Sequence, residues 1–301
     1  MPYLLGQYIN GNYKTLLMSD GSKIRMNKFN NFTPAFPESM DVKITNSCKG
    51  PDGLGPCPYC HEQSVPNGKH GNLSHPIFDS IHPYTELALG GGNVLEHPDL
   101  LQFLYRMKKK HIICNMTLHT DHFMKNYDYV RMLEYERLIH GIGVSVNTVP
   151  SEEQLDKIQH TPNLVVHTIA GVMPEKGYKL LYGRGIKLLI LGYKYYGRGE
   201  KYFLNEENQI MDNVIWLRSA LPEMISHFKL ISFDNLALKQ LRIQEIVDKD
   251  TWEKCYMGDD GQFTCYLDMV EEMFAKSSTS ERLPINSDRI EDLFNQVRAA
   301  A

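Results

Sequence analysis

Apolar and polar positions divide the sequence into three stretches with different patterns. Over residues 1–40, short apolar runs alternate with an Asn-Gly pair at 10–11 and an Asp-Gly pair at 20–21. Such pairs favour the tight turns that join neighbouring antiparallel strands. Prolines at 34 and 37 then interrupt the pattern. The first stretch therefore predicts a small β-hairpin element that ends in an irregular connector.

Residues 41–235 form the second stretch, in which short apolar runs alternate with segments of helical spacing. The predicted strands cover residues 41–45, 86–89, 111–117, 143–147, 163–169 and 187–191. The predicted helices cover residues 98–109, 123–140, 151–159, 175–183 and 211–227. Short apolar strands separated by helices are typical of a parallel sheet covered by helices. Periodicity alone leaves open a partial barrel, a full barrel and a doubly wound sheet.

The third stretch, residues 236–301, predicts an extension of this α/β unit and no separate large domain. A helix is expected over 235–247, a hairpin around Gly258 to Gly261, and a last helix over 288–297 with Ser287 as its cap.

Composition narrows the class of protein. The 301 residues are 42% hydrophobic, and 32 basic side chains against 36 acidic ones give a net charge of −4. This hydrophobic share is enough for a core and excludes a disordered or collagen-like chain. The small negative net charge gives no general basic surface that would bind nucleic acid. No apolar run has the length of a membrane span and the N-terminus lacks a secretion signal, so we expect a cytoplasmic protein.

Three of the six cysteines lie close together in the sequence, at Cys48, Cys57 and Cys60. In a reducing compartment such a group more often binds metal than forms a disulfide, and Cys-x-x-Cys directs two sulfurs to one centre. The pattern fits an iron–sulfur cluster or a closed zinc site with His61 or another side chain as fourth ligand. The other three are expected to be ordinary small buried residues: Cys114, Cys255 and Cys265.

The position of the cysteine group favours an active site. It starts where the first predicted barrel strand ends, and β/α barrels build their active sites at the carboxyl ends of their strands. The second strand ends in Gly90, Gly91 and Gly92, followed by Asn93, where the missing side chains let backbone atoms approach a ligand.

These residues resemble the radical S-adenosylmethionine enzymes over residues 41–235. The shared features are a cysteine trio after strand one, an aromatic residue (Tyr59) before its last cysteine, and a glycine-rich turn after strand two. The sequence departs from the family in two places. Eight residues separate Cys48 from Cys57, which makes an expanded Cys-x8-Cys-x2-Cys motif where three residues are usual, and Asn93 stands where the family commonly has an acid.

The resemblance implies a fold, two cofactors and a set of site residues. The fold would be a partial (β/α)6 barrel, with a 4Fe–4S cluster held by Cys48, Cys57 and Cys60 and S-adenosylmethionine bound at the open iron. Residues near S-adenosylmethionine would be Tyr59 by the adenine, Gly90, Gly91, Gly92 and Asn93 at the methionyl amino group, Ser145 and Asn147 at the ribose or carboxylate, and Gly171 and Leu191 beside the adenine.

The resemblance also implies a reaction. Reductive cleavage of S-adenosylmethionine would generate a 5′-deoxyadenosyl radical that abstracts hydrogen from an unidentified substrate, which could be a small metabolite, a nucleotide or nucleobase, or a protein residue. Electrons would come from a reductant such as flavodoxin or ferredoxin. The alternative is a zinc-stabilised α/β binding or regulatory protein without catalysis.

The segment after the sixth strand carries candidate substrate contacts. Lys194 and Arg198 lie in a loop with three tyrosines and two glycines. Arginine offers a planar fork for carboxylate or phosphate, and lysine offers a point charge. The two side chains are therefore predicted to bind an anionic group of the substrate, with a solvated loop as the alternative.

Overall fold

The structure, a computed structural model, describes residues 2–50 and 57–299. Most of the segment between Cys48 and Cys57, including the expected irregular run 51–56, therefore lies outside the described residues. An antiparallel sheet comes first, formed by β1 (Leu4–Asn10), β2 (Tyr13–Met18) and β3 (Lys23–Met26). Gly11 and Gly21 adopt φ angles of 59° and 88° in its turns, as the Asn-Gly and Asp-Gly pairs predict.

This N-terminal sheet covers the amino-terminal end of the main sheet. Arg25 pairs with the buried Glu38 at 2.9 Å, and Lys23 pairs with Glu86 at 2.8 Å. Between the two units lies a cavity of about 290 Å³, lined by Leu17 of the first sheet and His167 of the main sheet among others.

The main sheet has ten strands among the described residues, in the order β10-β9-β8-β7-β6-β5-β4-β11-β12-β13. Consecutive strands from β4 to β10 pair in parallel. These strands are β4 (Ser39–Thr45), β5 (Glu86–Gly91), β6 (Ile113–His119), β7 (Gly141–Ser145), β8 (Leu164–Ile169), β9 (Lys187–Leu191) and β10 (Leu230–Phe233). The parallel order with edges at both ends confirms the predicted partial barrel.

Helices follow the strands in the manner of βαβ units. They are α1 (Leu100–Lys109), α2 (Thr120–Lys125), α3 (Tyr127–Tyr135), α4 (Glu152–Gln159), α5 (Glu175–Leu181) and α6 (Arg198–Met224). Ser151 caps α4 and forms a capping box with Gln154. The single helix predicted over 123–140 is two short helices that meet at Asn126. Helix α6 begins at Arg198, well before the predicted start at 211, and its dihedral angles break at Glu206.

Residues alternate between the two faces of each barrel strand. In β4, Met40, Val42 and Ile44 are buried in the hydrophobic core beneath the helices. Side chains of a strand point to opposite faces in turn, so Asp41 and Lys43 face the interior of the barrel. Two charged residues at interior positions of β4 therefore make the barrel interior polar.

The C-terminal stretch adds strands to the same sheet. It contains α7 (Asn235–Gln240), α8 (Lys249–Cys255), β11 (Thr264–Asp268), β12 (Met273–Ala275), β13 (Leu283–Pro284) and α9 (Ile290–Ala299). The hairpin expected from Gly258 onward is formed by β11 and β12, which pair antiparallel. Gly258 and Gly261 adopt positive φ just before β11. Strand β11 pairs in parallel with β4. The helix expected over 235–247 ends early, since Arg242 is left-handed at φ 53°.

No helix within the described part of the chain is both long enough and apolar enough to cross a membrane.

Candidate metal centre at the barrel mouth

Cys48, Cys57 and Cys60 lie together just beyond the carboxyl end of β4. The Cys48 N–H donates to Val65 O at 2.9 Å, and the Cys60 N–H donates to Cys57 O at 3.2 Å, which closes the Cys-x-x-Cys turn. All three side chains are half-buried. Burial, together with the thiols of Cys60 and Cys48, raises the pKa of Cys57 to about 11. The thiols are therefore close enough to act on one another electrostatically.

The other cysteines are separate from this group. Cys114 and Cys265 are buried as expected, but the expectation was wrong for Cys255, which is exposed on α8. Burial raises the pKa of Cys114 to about 12, which makes it an inert thiol.

The donor chemistry of the trio fits a soft metal centre. Across residues 2–50 and 57–299, no three Cys, His, Asp or Glu side chains already converge on one point at coordinating distance. Three half-buried thiols on one loop are nevertheless the donors that iron–sulfur clusters and zinc prefer. His61, considered from the sequence as a fourth zinc ligand, has its Nε2 3.1 Å from Glu62 and 3.2 Å from Lys194 Nζ. Its Nε2 is therefore engaged by Glu62 and Lys194.

Arg198 binds the cysteine loop from the first turn of α6. Its backbone N–H donates to Cys60 O at 3.2 Å, its Nε donates to Cys57 O at 3.2 Å, and its Nη1 donates to Ser64 O at 2.9 Å. Two of the three guanidinium nitrogens of Arg198 are thus engaged by loop carbonyls, and the binding of a substrate anion by Lys194 and Arg198 stays a prediction.

Tyr59 and Asn147, both predicted at the cofactor site, are brought together by the fold. The Asn147 amide lies beside the Tyr59 hydroxyl and favours its ionised form, while its Oδ1 accepts the N–H of Ile169 at 2.7 Å. Burial raises the pKa of Tyr59 above its ordinary value, and the neighbouring Cys57 adds to this effect. The Tyr59 ring also packs edge-on against Tyr202, with centroids 5.6 Å apart. A half-buried aromatic face thus stands beside the cysteines.

The three glycines at the end of β5 differ in what surrounds them. A Cβ at Gly91 would lie 2.3 Å from Thr45 O, and one at Gly92 would lie 2.2 Å from Ser47 O, so both positions require glycine for packing. Gly91 also adopts φ 108°. A Cβ at Gly90 would meet nothing within 4 Å. Of the three, Gly90 borders open space where a ligand can lie.

Asn93 caps a short 3₁₀ turn and orients an acid that the sequence analysis did not single out. Its Oδ1 accepts the N–H of Leu95 at 3.3 Å, and its Nδ2 donates to Glu96 at 3.2 Å. Glu96 also accepts the hydroxyl of Ser47 at 2.6 Å and lies beside Cys48, whose pKa its charge raises. Burial alone would raise the pKa of Glu96, but the donors at Ser47 and Asn93 hold it below its ordinary value. Glu96 is therefore an ionised carboxylate next to the cysteine group.

Three further predicted residues lie at strand ends with separate contacts. Ser145 ends β7 and Leu191 ends β9, and both are half-buried. Leu191 O accepts the N–H of Ala170 at 2.8 Å. Gly171 packs on α6: a Cβ there would lie 2.6 Å from Ile210, and its carbonyl accepts Asn213 Nδ2 at 2.9 Å, while its place beside the adenine stays a prediction.

Lys194 is the basic side chain at the barrel mouth. Its Nζ lies 3.2 Å from His61 Nε2 and donates to Ser278 Oγ at 2.8 Å. Ser278 follows β12, so this contact joins the end of β9 to the C-terminal hairpin. The charge of Lys194 remains available beside the neutral hydroxyl and the imidazole.

A buried ionic network lies next to the cysteines on the interior face. Lys43 Nζ is 3.0 Å from Glu62 and 3.2 Å from Asp268, and Arg282 also pairs with Asp268. Burial would raise the pKa of Glu62, but His61 and Lys43 hold it far below its ordinary value. Burial and the charge of Lys194 lower the pKa of His61. The network is a fixed set of charges in the barrel interior.

The chain matches known proteins in structure but not in sequence. No protein-family model matches the chain, and no curated protein matches its sequence. The Streptococcus suis protein SuiB matches in structure with a TM-score of 0.55 and 9% identity, over 97% of this chain and 86% of SuiB. The chain has the fold of SuiB. At 9% identity the likeness concerns the fold alone, and it agrees with the α/β partial barrel predicted from the sequence.

Two further SuiB structures match with a TM-score of 0.53 each, one bound to S-adenosylmethionine at 10% identity and one bound to the precursor peptide SuiA at 12% identity. Each match covers 87% of this chain. The chain spans just under two thirds of these SuiB chains, 66% and 65% respectively.

Proposed function

We propose that the protein is a radical S-adenosylmethionine enzyme whose 4Fe–4S cluster is held by Cys48, Cys57 and Cys60. The observation that carries the proposal is the trio of half-buried thiols at the carboxyl end of the first barrel strand. When bound, the cluster supplies the electron that cleaves S-adenosylmethionine and thereby starts hydrogen abstraction from the substrate.

The residues around the cysteines offer a complementary set of contacts to S-adenosylmethionine. The ring of Tyr59, held by Asn147, would pack on the adenine. The open space at Gly90 would admit the methionyl moiety. Glu96 would bind the methionyl amino group, because its carboxylate is ionised. Asn93, which occupies the position where the family commonly has an acid, donates a hydrogen bond to Glu96 and so places its carboxylate close by. Ser145 and Leu191 remain candidates at the ribose and adenine.

The substrate would enter the polar interior beside the ionic network. Lys194 is the cation placed to bind an anionic group there, since it is paired with no carboxylate among the described residues. The SuiB structure with a precursor peptide supports a peptide residue as one substrate class, alongside a small metabolite or a nucleotide. A one-electron reductant such as flavodoxin or ferredoxin would complete the system, and a reducing, cytoplasmic compartment suits the free thiols.

Anaerobic reconstitution with iron and sulfide tests the proposal. We expect a brown protein with about four irons per chain and slow release of 5′-deoxyadenosine from S-adenosylmethionine under reductant. Stoichiometric zinc with no iron uptake would refute the cluster and leave the zinc-stabilised alternative. Lys194→Met should keep both the cluster and this slow cleavage. Once the substrate is identified, the variant should form no product from it.

A further inference from the structure

The segment Gly197, Arg198 and Gly199 packs directly on the cysteine loop. Gly197 adopts φ 58°, and a Cβ there would lie 2.8 Å from His61 O. A Cβ at Gly199 would lie 3.4 Å from Tyr59 O and 2.4 Å from Lys194 O. Two positions without side chains thus let the start of α6 approach the backbone that carries Cys57 and Cys60.

The guanidinium between these glycines is only partly used. Nε and Nη1 of Arg198 donate to carbonyls on the loop, at Cys57 and Ser64. Nη2 is buried and has no hydrogen-bond partner among the described residues. An unsatisfied buried donor on a charged group is costly, so a partner is expected. The positive charge also acts on the Cys48 thiol, across the cysteine group from Cys57.

We propose that Nη2 of Arg198 donates a hydrogen bond to a sulfur of the cluster and that Arg198 is a positioning residue that sets the reduction potential. The inference rests on the proposed function, because it needs the cluster held by the three cysteines. Hydrogen bonds to sulfur and nearby positive charge both favour the reduced, more negative cluster. Arg198 therefore raises the potential and makes the cluster easier to reduce.

The test compares Arg198→Gln and Arg198→Lys with wild type after anaerobic reconstitution. Arg184→Gln is the matched control, since Arg184 contacts Leu180 O and Glu152 and none of the cysteine loop. The midpoint potential is measured by redox titration followed by electron paramagnetic resonance, with dithionite as the electron source. We expect the ratio of reduced to oxidised cluster at a fixed solution potential to fall about tenfold in Arg198→Gln, a shift of about 59 mV for a one-electron couple. The fall should be smaller in Arg198→Lys, which keeps the charge, and absent in Arg184→Gln.

A purely structural role predicts a different result. If Arg198 only holds the loop, its variants take up less iron, but the clusters that form keep the wild-type potential, and this outcome would overturn the inference. Should Arg198→Gln take up no iron at all, wild-type protein labelled with ¹⁵N-arginine gives the answer. A ¹⁵N coupling to the reduced cluster, measured without S-adenosylmethionine, supports the hydrogen bond, and its absence contradicts it. Zinc in place of iron in the wild type would instead refute the proposed function and this inference with it.

Discussion

Replacing Lys43 by methionine should destabilise the protein strongly, because Lys43 holds two buried carboxylates. The side chain of Lys43 is 7% exposed, and those of Glu62 and Asp268 are 9% and 0% exposed. Removing one member of a buried ion pair costs about 3–5 kcal/mol. Each acid keeps another partner, His61 for Glu62 and Arg282 for Asp268, so we expect the low end, about 3 kcal/mol.

This loss can be measured as a change in melting temperature. An unfolding entropy of about 2.1 cal/mol/K per residue over 301 residues converts about 3 kcal/mol into a Tm about 5 °C lower. Lys249→Met is the control, because the Lys249–Glu253 pair on α8 is exposed and should contribute less than about 1 kcal/mol. Adding Glu62→Gln to Lys43→Met should recover part of the loss, since it removes an uncompensated buried charge.

The pH dependence of the same variant has a defined sign. Glu62 has a pKa far below its ordinary value of 4.5 in the folded protein, so its stabilising contribution is complete above pH 4.5 and is lost as the pH falls below it. The difference in Tm between wild type and Lys43→Met should therefore shrink on acidification below pH 4.5. A Lys43→Met protein as stable as Lys249→Met at neutral pH would show that the network is not a source of stability.

Three further predictions concern the cofactor site. Cys48→Ala should abolish iron uptake, whereas Cys255→Ala should leave it at the wild-type level; iron analysis after reconstitution decides, and retention of iron in Cys48→Ala would exclude that thiol as a ligand. Gly91→Ala should lower the Tm, because its Cβ would collide with a backbone oxygen at a position with positive φ. Gly90→Ala should keep the Tm and weaken S-adenosylmethionine binding, because its Cβ would fill open space. Equal changes in Tm for the two variants would contradict this difference. Glu96→Gln should weaken that binding about tenfold by calorimetry, and wild-type binding should decline only below pH 4.5, because the pKa of Glu96 is lowered.

The local pattern of the sequence predicts the barrel strands but not the strands that the C-terminal stretch adds beside β4. Strands β4, β5 and β9 lie where short apolar runs predict them, because each run is flanked by helical spacing or turn residues. The pairing of β11 with β4 depends on residues far apart in the chain, which no local period encodes. The four-residue β10 was missed for a related reason, since so short a run carries little pattern.

The candidate site was predictable to the extent that motif spacing encodes it. The cysteine trio and Tyr59 stand in a motif, and the structure places them together with Asn147. Glu96 was missed because its role depends on the 3₁₀ turn after Asn93, although an acid three residues beyond a capping side chain was a visible signal. Lys194 and Arg198 are neighbours in sequence, yet the helix that begins at Arg198 turns the two side chains to different partners.

The parallel pairing of β11 with β4 has a consequence for the order in which the chain acquires its site. Tyr266 and Glu62, which approach each other within 3.5 Å in the barrel interior, are 204 positions apart. During synthesis, β4 and the cysteine loop emerge long before β11, so the edge of β4 stays unpaired and Lys43 lacks Asp268 until the C-terminal stretch arrives. Closing so long a loop is a late and slow event in folding. In the proposed enzyme, insertion of a cluster into the finished pocket would then follow synthesis of β11. A nascent chain halted before β11 would expose the unpaired edge of β4 to chaperones.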